Sequence, residues 1–483
     1  MFRFTRTSPS AMTSSRRRRV AAIAAGATVA SLTLAGCGTS GGGDVDPADA
    51  NGWSQEFAGV ELNVLAEATL NSEILAELSP EFTKMTGISV NIETAPFAQL
   101  VQSVTLDFST AQGDFDVVSI PYDYLGAYAG SDYLEEITPL ITANADKVGA
   151  DFDQDDIIPG LWDTAALWDG KYYGMPSNSA VTMMIYRADV FENEAEQDAF
   201  AAEYGYDLAP ATTWEQYRDI AEFFTRDAGE ELAGETLTEP LHGVTIAGKR
   251  HEAAVFEWIN YANSFGGGVV SPEGELIVDS PGSVESLEYM DALGEFAPPG
   301  YTSATWDEVT AQLQQGIAVQ AISWGDTAGA MENPDQSAVV GKMGYGDVPV
   351  ATEGDEHHAL HGAWTYTISK QATDADAAYL FVAWALSAPV QKAIGEMGGV
   401  PATRSAFEDP ELVAALPSWP QQLSSLENAL ARPRNAEWPQ MLEQLALQVS
   451  TALVGEATPE AALTKAQDDI TGILGDKLPL RAF

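Results

Sequence analysis

The sequence predicts an α/β protein divided into more than one lobe, and two observations carry that reading. The chain has 483 residues of which 45% are apolar, enough for a large core and long enough to split into about two or three lobes. Along it, short alternating apolar runs are separated by helical ones, the order that builds βαβ units and a parallel sheet.

The first elements are not part of the fold. Arg16 to Arg19 form a basic stretch, and residues 20–34 (VAAIAAGATVASLTL) are an apolar, Ala-rich run. That run suits a signal peptide and is short for a membrane span. It leads into Leu34-Ala35-Gly36-Cys37, which holds the only cysteine. Small residues before a Cys at this place resemble a bacterial lipobox, which implies cleavage before Cys37 and a lipid on its sulfur. Ser15-Arg16-Arg17 hints weakly at twin-arginine export. Residues 37–52, rich in Gly, Ser, Pro and Asp, read as the lipidated Cys and a flexible tether. A lone Cys also excludes an internal disulfide and a Cys-based zinc site.

Charge narrows the function further. The formal net charge is −48, and six basic residues precede Cys37, leaving 17 Lys and Arg against 71 Asp and Glu in the rest, a net of −54. Such a surface repels phosphate backbones and anionic headgroups, so no nucleic-acid partner is expected. Membrane attachment would come through the lipid alone, and the chain is expected to be soluble and monomeric.

Folding starts near Trp53. Val60, Leu62 and Val64 alternate as a strand, and Ile74, Leu75, Leu78, Phe82 and Met85 line a helix stopped by Gly87. Pro80 falls inside that helix and predicts a kink or break. Ile88, Val90 and Ile92 form a second strand; Val117, Val118 and Ile120 form a third that ends at Pro121. Further on, 181–187 reads as a strand and 214–227 as a helix with a capping box from Thr213 and Gln216. A strand at 242–247 precedes a helix over 251–264 in which Trp258 is a core residue. Ser280-Pro281 opens another helix. Strands follow at 317–323, 343–349 and 363–369, then a helix over 374–387, and from 405 the pattern is mostly helical.

Ligands of such sheets sit at the carboxyl ends of strands. Binding sites for small ligands combine flat apolar surfaces with a few planar donors and acceptors. Residues of that kind stand just past strands: Glu67 after the first, Tyr122 and Asp123 after the third, Trp324 and Asp326 after 317–323, and Trp364 after a Gly-Ala pair. Two clusters are read as solvated loops. Asp151, Asp153, Asp155 and Asp156 lack the Gly and Glu of a calcium loop, and His357, His358 and His361 follow an acidic exposed stretch. No cofactor, metal or catalytic group is expected. An exported carbohydrate-active hydrolase is the alternative; the chain shows no eight-fold βα period, no Gly-x-Ser-x-Gly and no His-Glu-x-x-His.

Several segments, in order, resemble the extracellular solute-binding proteins of carbohydrate ABC importers (bacterial solute-binding protein family 1). They are LSPEFTKMTGISV (78–90), GDFDVVSIP (113–121), GKYYGMP (170–176), MMIYRADVF (183–191), GVTIAGKRHEAAVFEW (243–258), PPGYTSATWDEV (298–309), GAWTYTISK (362–370) and GGVPATRSAF (398–407). The resemblance is to the sugar and sugar-alcohol branch. It implies a two-lobed periplasmic-binding-protein-like (type II) fold, with 53–173 plus 343–397 as lobe one and 176–340 plus 398–483 as lobe two. A hinge would join the lobes, with the ligand cleft between them. It implies that a small carbohydrate is bound outside the cell, at the outer face of the cytoplasmic membrane, and delivered to the permease subunits of an ABC transporter. It adds Asn178, at the hinge, and Arg404 to the candidate contacts and supports Trp364, Trp324, Asp326, Asp123, Tyr122 and Glu67.

Overall fold

The structure, a computed structural model, describes residues 51–480; the expected signal peptide, Cys37 and most of the tether lie outside the described residues. Along the chain the main strands are β1 (Glu61–Glu67), β2 (Ser89–Ala95), β3 (Val117–Pro121), β4 (Met175–Pro176), β5 (Thr182–Arg187), β6 (His242–Val244), β7 (Ala318–Trp324), β8 (Met343–Gly346) and β9 (Trp364–Ile368). They form two sheets, ordered β2-β1-β3-β9-β4 and β6-β7-β5-β8. The helices that matter for the site are α1 (Leu70–Thr86), α2 (Phe97–Thr110), α3 (Trp214–Phe224), α4 (Glu252–Ser264), α5 (Pro281–Leu293), α6 (Trp306–Gln314), α7 (Ala375–Ala385) and α8 (Trp438–Leu453).

β1 runs parallel to β2 and β3, as helical crossovers require. The parallel sheet expected from the sequence is corrected beyond that point. β9 is antiparallel to β3 and β4, and in the second sheet β5 is antiparallel to both β7 and β8, leaving only β6 and β7 parallel. β9 returns from far along the chain, so no local crossover dictates its direction.

The expected break at Pro80 is also corrected, because α1 runs unbroken through it. Pro80 removes the N–H that would satisfy the carbonyl of Ala76, and the Ser79 hydroxyl donates to that carbonyl instead, at 2.9 Å. The capping box at Thr213 and Gln216 forms in both directions, and α3 ends at Phe224, where the chain turns to pair Arg226 with Leu241. α4 is capped by His251, whose ring nitrogen Nδ1 accepts from the Ala253 N–H at 3.2 Å. Trp258 is fully buried, as its place in α4 predicts.

The crossings between the sheets fall slightly away from the expected boundaries. Met175 and Pro176 pair with β9 in the first sheet, and Met343–Gly346 pairs with β5 in the second, so one crossing follows 176 and another follows 346. Residues 400–402, expected in lobe two, dock on the first-sheet side. Val400 exchanges two hydrogen bonds with the Asn71 side chain, at 2.7 and 2.9 Å, and the Ala402 carbonyl accepts from Ile158 N–H at 3.1 Å. One core lies beneath the first sheet, around Phe82, Tyr366, Phe381 and Trp384. A larger one joins Leu65, Leu100 and Ile120 of the first-sheet side to Trp214, Phe256, Trp258 and Trp438.

Candidate ligand cleft between the sheets

The carboxyl ends of β1 and β3 face that of β7 across a seam. β3 delivers Tyr122 and Asp123, both with no exposure. Between them and the second sheet lies Arg432, itself only 4% exposed. Its Nη2 stands 3.4 Å from Asp123 Oδ1. Its backbone N–H donates to the Tyr122 hydroxyl at 2.6 Å, and its Nε reaches the same oxygen at 3.4 Å. The guanidinium lies 4.0 Å from the ring centre of Phe256, 4.9 Å from Tyr122 and 5.7 Å from Trp324. Phe256 is in α4 and Trp324 ends β7, so one cation touches rings from both sides of the seam. Trp438 Nε1 donates to Asp123 Oδ2 at 2.8 Å, while Asp123 Oδ1 accepts no hydrogen bond.

The second part of the seam is aromatic. Phe97, at the start of α2, meets Trp364 edge-on at 5.9 Å, Tyr124 at 6.4 Å, and, from the second-sheet side, Trp306 at 5.6 Å and His251 at 6.2 Å. Asn178 holds the Trp364 loop, its Oδ1 accepting from the Trp364 N–H at 3.0 Å. Trp324 packs against Gly362, where an added Cβ would fall 2.5 Å from its ring. On the second-sheet side of the seam lies a small cavity of about 20 Å³ whose walls include Thr182, Phe256, Glu257, Asn260, Trp306 and Trp324, room for about one water.

Carboxyls crowd the rim. Burial, then Asp326 and Asp307, pushes the Glu67 carboxyl up to about 8. Asp326 still reaches solvent, yet the packing around it moves it up to about 6. Glu252 opens α4; burial drives it well above the ordinary carboxyl range, Asp123 and Glu67 add to the rise and Arg432 opposes it. Its Oε2 is buried without a donor. Burial also raises Asp123, against the pull of Arg432. His361 is pushed down to about 4 by burial and by Arg432 and Arg434.

The structure thus gathers Tyr122, Asp123, Trp324, Trp364, Asn178, Glu67 and Asp326 along one seam. It does not bring Arg404 there: Arg404 is exposed in the first turn of a short helix, and its neighbour Ser405 bonds Asp156. Arg432, Phe256, Glu252, Phe97 and Trp306 were not singled out from the sequence. Arg432-Pro433-Arg434 places two cations in a chain with few of them, the one signal that pointed to it.

Residues 77–421 match the model of the bacterial extracellular solute-binding protein family. A probable amino-acid ABC transporter periplasmic-binding protein of Sinorhizobium fredii is 26% identical over 424 residues, covering 86% of this chain and 90% of that protein. The erythritol/L-threitol-binding protein of Mycolicibacterium smegmatis is 24% identical over 412 residues, 82% of each chain. An ABC transporter solute-binding protein from Agrobacterium radiobacter K84, solved in complex with ribitol, superposes with a TM-score of 0.76 at 26% identity, covering 86% of this chain and 99% of that one.

Proposed function

This chain belongs to the family of bacterial extracellular solute-binding proteins, and from that premise we propose that its cleft captures a small carbohydrate outside the cell for delivery to an ABC importer. The observation that carries the ligand class is the seam itself. Tryptophans at the ends of strands from opposite sheets flank a buried Arg–Asp ion pair, Nη2 to Oδ1 at 3.4 Å, whose hydrogen-bonding capacity is only partly used. Nη1 and Nη2 of Arg432 make no hydrogen bond among the described residues, and neither does Asp123 Oδ1. Flat apolar faces beside unsatisfied planar polar groups suit a polyhydroxylated ligand. The relatives that bind ribitol and erythritol or L-threitol point the same way.

Capture requires the seam to part, because Phe97 and Arg432 already meet rings of the second-sheet side across it. Lobe one, centred on β2-β1-β3-β9-β4, and lobe two, centred on β6-β7-β5-β8, then move about the crossings, and ligand stabilises the closed form by touching both. Cys37 anchors the chain through a lipid, and the protein works as a monomer without catalysis.

The test is to incubate the mature protein with panels of sugars, sugar alcohols and amino acids and to identify what is retained by mass spectrometry. An intact sugar or polyol is expected. Retention of an amino acid alone, or release of a cleaved sugar, would overturn the reading.

A further inference from the structure

Carboxyls outnumber cations at the seam. Asp123 follows β3, Glu67 ends β1, Asp326 follows β7 and Glu252 opens α4. Asp326 acts electrostatically on Glu67, and Asp123 and Glu67 act on Glu252; Phe256, one turn after Glu252 in α4, meets the guanidinium that pairs with Asp123. The cation among them is Arg432. Lys249 stands further out, against Asp307 and Glu308, and the His251 ring is held toward its neutral form by burial and by Lys249.

Two oxygens in this group are left over. Asp123 Oδ1 belongs to a residue with no exposure, and Glu252 Oε2 is likewise buried; neither accepts a hydrogen bond. Arg432 approaches Asp123 Oδ1 only to 3.4 Å, and its Nε is turned to Tyr122. A buried carboxylate oxygen without a donor is costly. A ligand hydroxyl brings one donor and no charge, whereas an ammonium brings three donors and the charge that is missing. Glu252 lies in the first turn of α4; burial favours its protonated form, and a cation at Oε2 would draw that proton off, a change the helix dipole assists.

We infer that the cleft takes a carbohydrate carrying a positively charged amine, with the amine seated against Glu252 and Asp123 and the hydroxyls facing Arg432, Glu67 and Asp326. This rests on the carbohydrate reading above and narrows it. It also gives the two sides of the seam a reason to close: the amine relieves the repulsion that Asp326 exerts on Glu67 and Asp123 on Glu252.

The test is calorimetric titration of the mature chain with matched pairs at pH 7. The probes are D-glucitol against 1-amino-1-deoxy-D-glucitol, and D-glucose, D-galactose and D-mannose against their 2-amino-2-deoxy forms. The N-acetyl derivatives keep the bulk and lose the charge. At least one amine should bind about tenfold or more tightly than its neutral parent. Its N-acetyl form should lose that gain, and the gap should narrow as salt rises. Glu252→Gln should shrink the preference; the comparison on the unmodified protein stands if that variant fails to fold. Neutral parents binding as tightly as the amines would overturn the inference and leave the carbohydrate reading intact. So would tight binding of a neutral parent with proton uptake, seen as heats that vary with the buffer's ionisation enthalpy. Binding by no member of any pair would overturn both.

Discussion

Replacing Arg432 by Met tests whether the Arg–Asp pair is one coupled unit. Met keeps an unbranched apolar chain between the rings of Phe256, Tyr122 and Trp324 and removes the cation. Asp123 then remains fully buried with a single side-chain donor, Trp438 Nε1 at 2.8 Å. Removing one partner of a buried pair costs about 3–5 kcal/mol. For a folding unit of about 200 residues each kcal/mol moves the melting temperature by about 2–4 °C, so a drop of about 6–20 °C is expected in the unliganded protein. The drop also depends on pH. Arg432 holds the Asp123 carboxyl down against burial, so its removal lets that carboxyl keep its proton to higher pH. At acid pH the orphaned group is neutral and the penalty fades. The double variant Arg432→Met/Asp123→Asn should recover most of the loss. The assay is thermal melting of wild type, both singles and the double at pH 5 and pH 8. If Arg432→Met melts within about 1 °C of wild type at pH 8, or if the double loses the sum of the singles, the pair is not a coupled buried unit.

Other expectations follow from the same geometry. Trp324→Ala and Trp364→Ala should weaken sugar binding at least about tenfold with little change in unliganded melting. Trp258→Ala, whose indole is fully buried and donates to Ser286 Oγ at 2.9 Å, should cost about 3–5 kcal/mol of stability; titration and melting on all three separate the cases, and a Trp364→Ala protein that binds normally but melts early would remove that ring from the site. Glu257, buried and accepting from the Tyr261 hydroxyl, is pushed up to about 8 by burial. The folded state therefore holds a proton that the unfolded chain releases near pH 4.5, so stability should fall as pH rises from about 4.5 to 8, by a few kcal/mol from this group. Glu257→Gln should flatten that slope in melts across the range, and an unchanged slope would show that Glu257 does not set it. Cys37→Ser should release the protein from the membrane fraction or leave it unprocessed, read by fractionation; normal retention of a cleaved form would refute lipid anchoring.

Local rules carried most of the elements. The alternation at Leu62 and Val64, the capping box at Thr213 and the stop at Gly87 each depend on residues within a few positions, and each element forms close to where the pattern placed it. Strand-end reasoning placed Tyr122, Asp123 and Trp324 at the seam for the same reason, whereas Trp364 opens β9 and arrives there by pairing with Pro121. The misses are non-local. Pro80 looked like a breaker because its missing N–H was visible, while the rescue by Ser79 required knowing that its rotamer points at Ala76. Strand directions beyond β3 depend on returns from distant chain. Asp123 and Arg432 are 309 positions apart, and no spacing rule links them. Arg404 had a motif around it but lies on an exposed helical turn, while Glu252 and Phe97 sit in ordinary first turns of helices that reveal their role only once the two sheets face each other.

The segment from 430 to 438 explains why Arg432 occupies the centre. Leu430 N–H donates to the Ala359 carbonyl, and the Leu430 carbonyl accepts from His361 N–H at 3.0 Å. Arg432 N–H is fixed on Tyr122, and Arg434 Nη1 reaches the carbonyls of Asp163 and Thr164, each at 2.5 Å. Gly126 lets the strap lie this close: a Cβ there would fall 1.8 Å from the Arg434 carbonyl oxygen. Trp438 then bonds Asp123, and α8 runs on to pack against α4 of the second-sheet side. The strap is thus tied at several points to the first-sheet side before it crosses. On the opening proposed above, Tyr122 and Asp123 would stay with Arg432, whereas Phe256 and Trp324 would leave with α4 and β7. The face of the guanidinium that would lose those rings is then the face an entering ligand would meet, and a ligand that bonded its Nη groups while stacking on Trp324 would restore from both sides the contacts that opening removes.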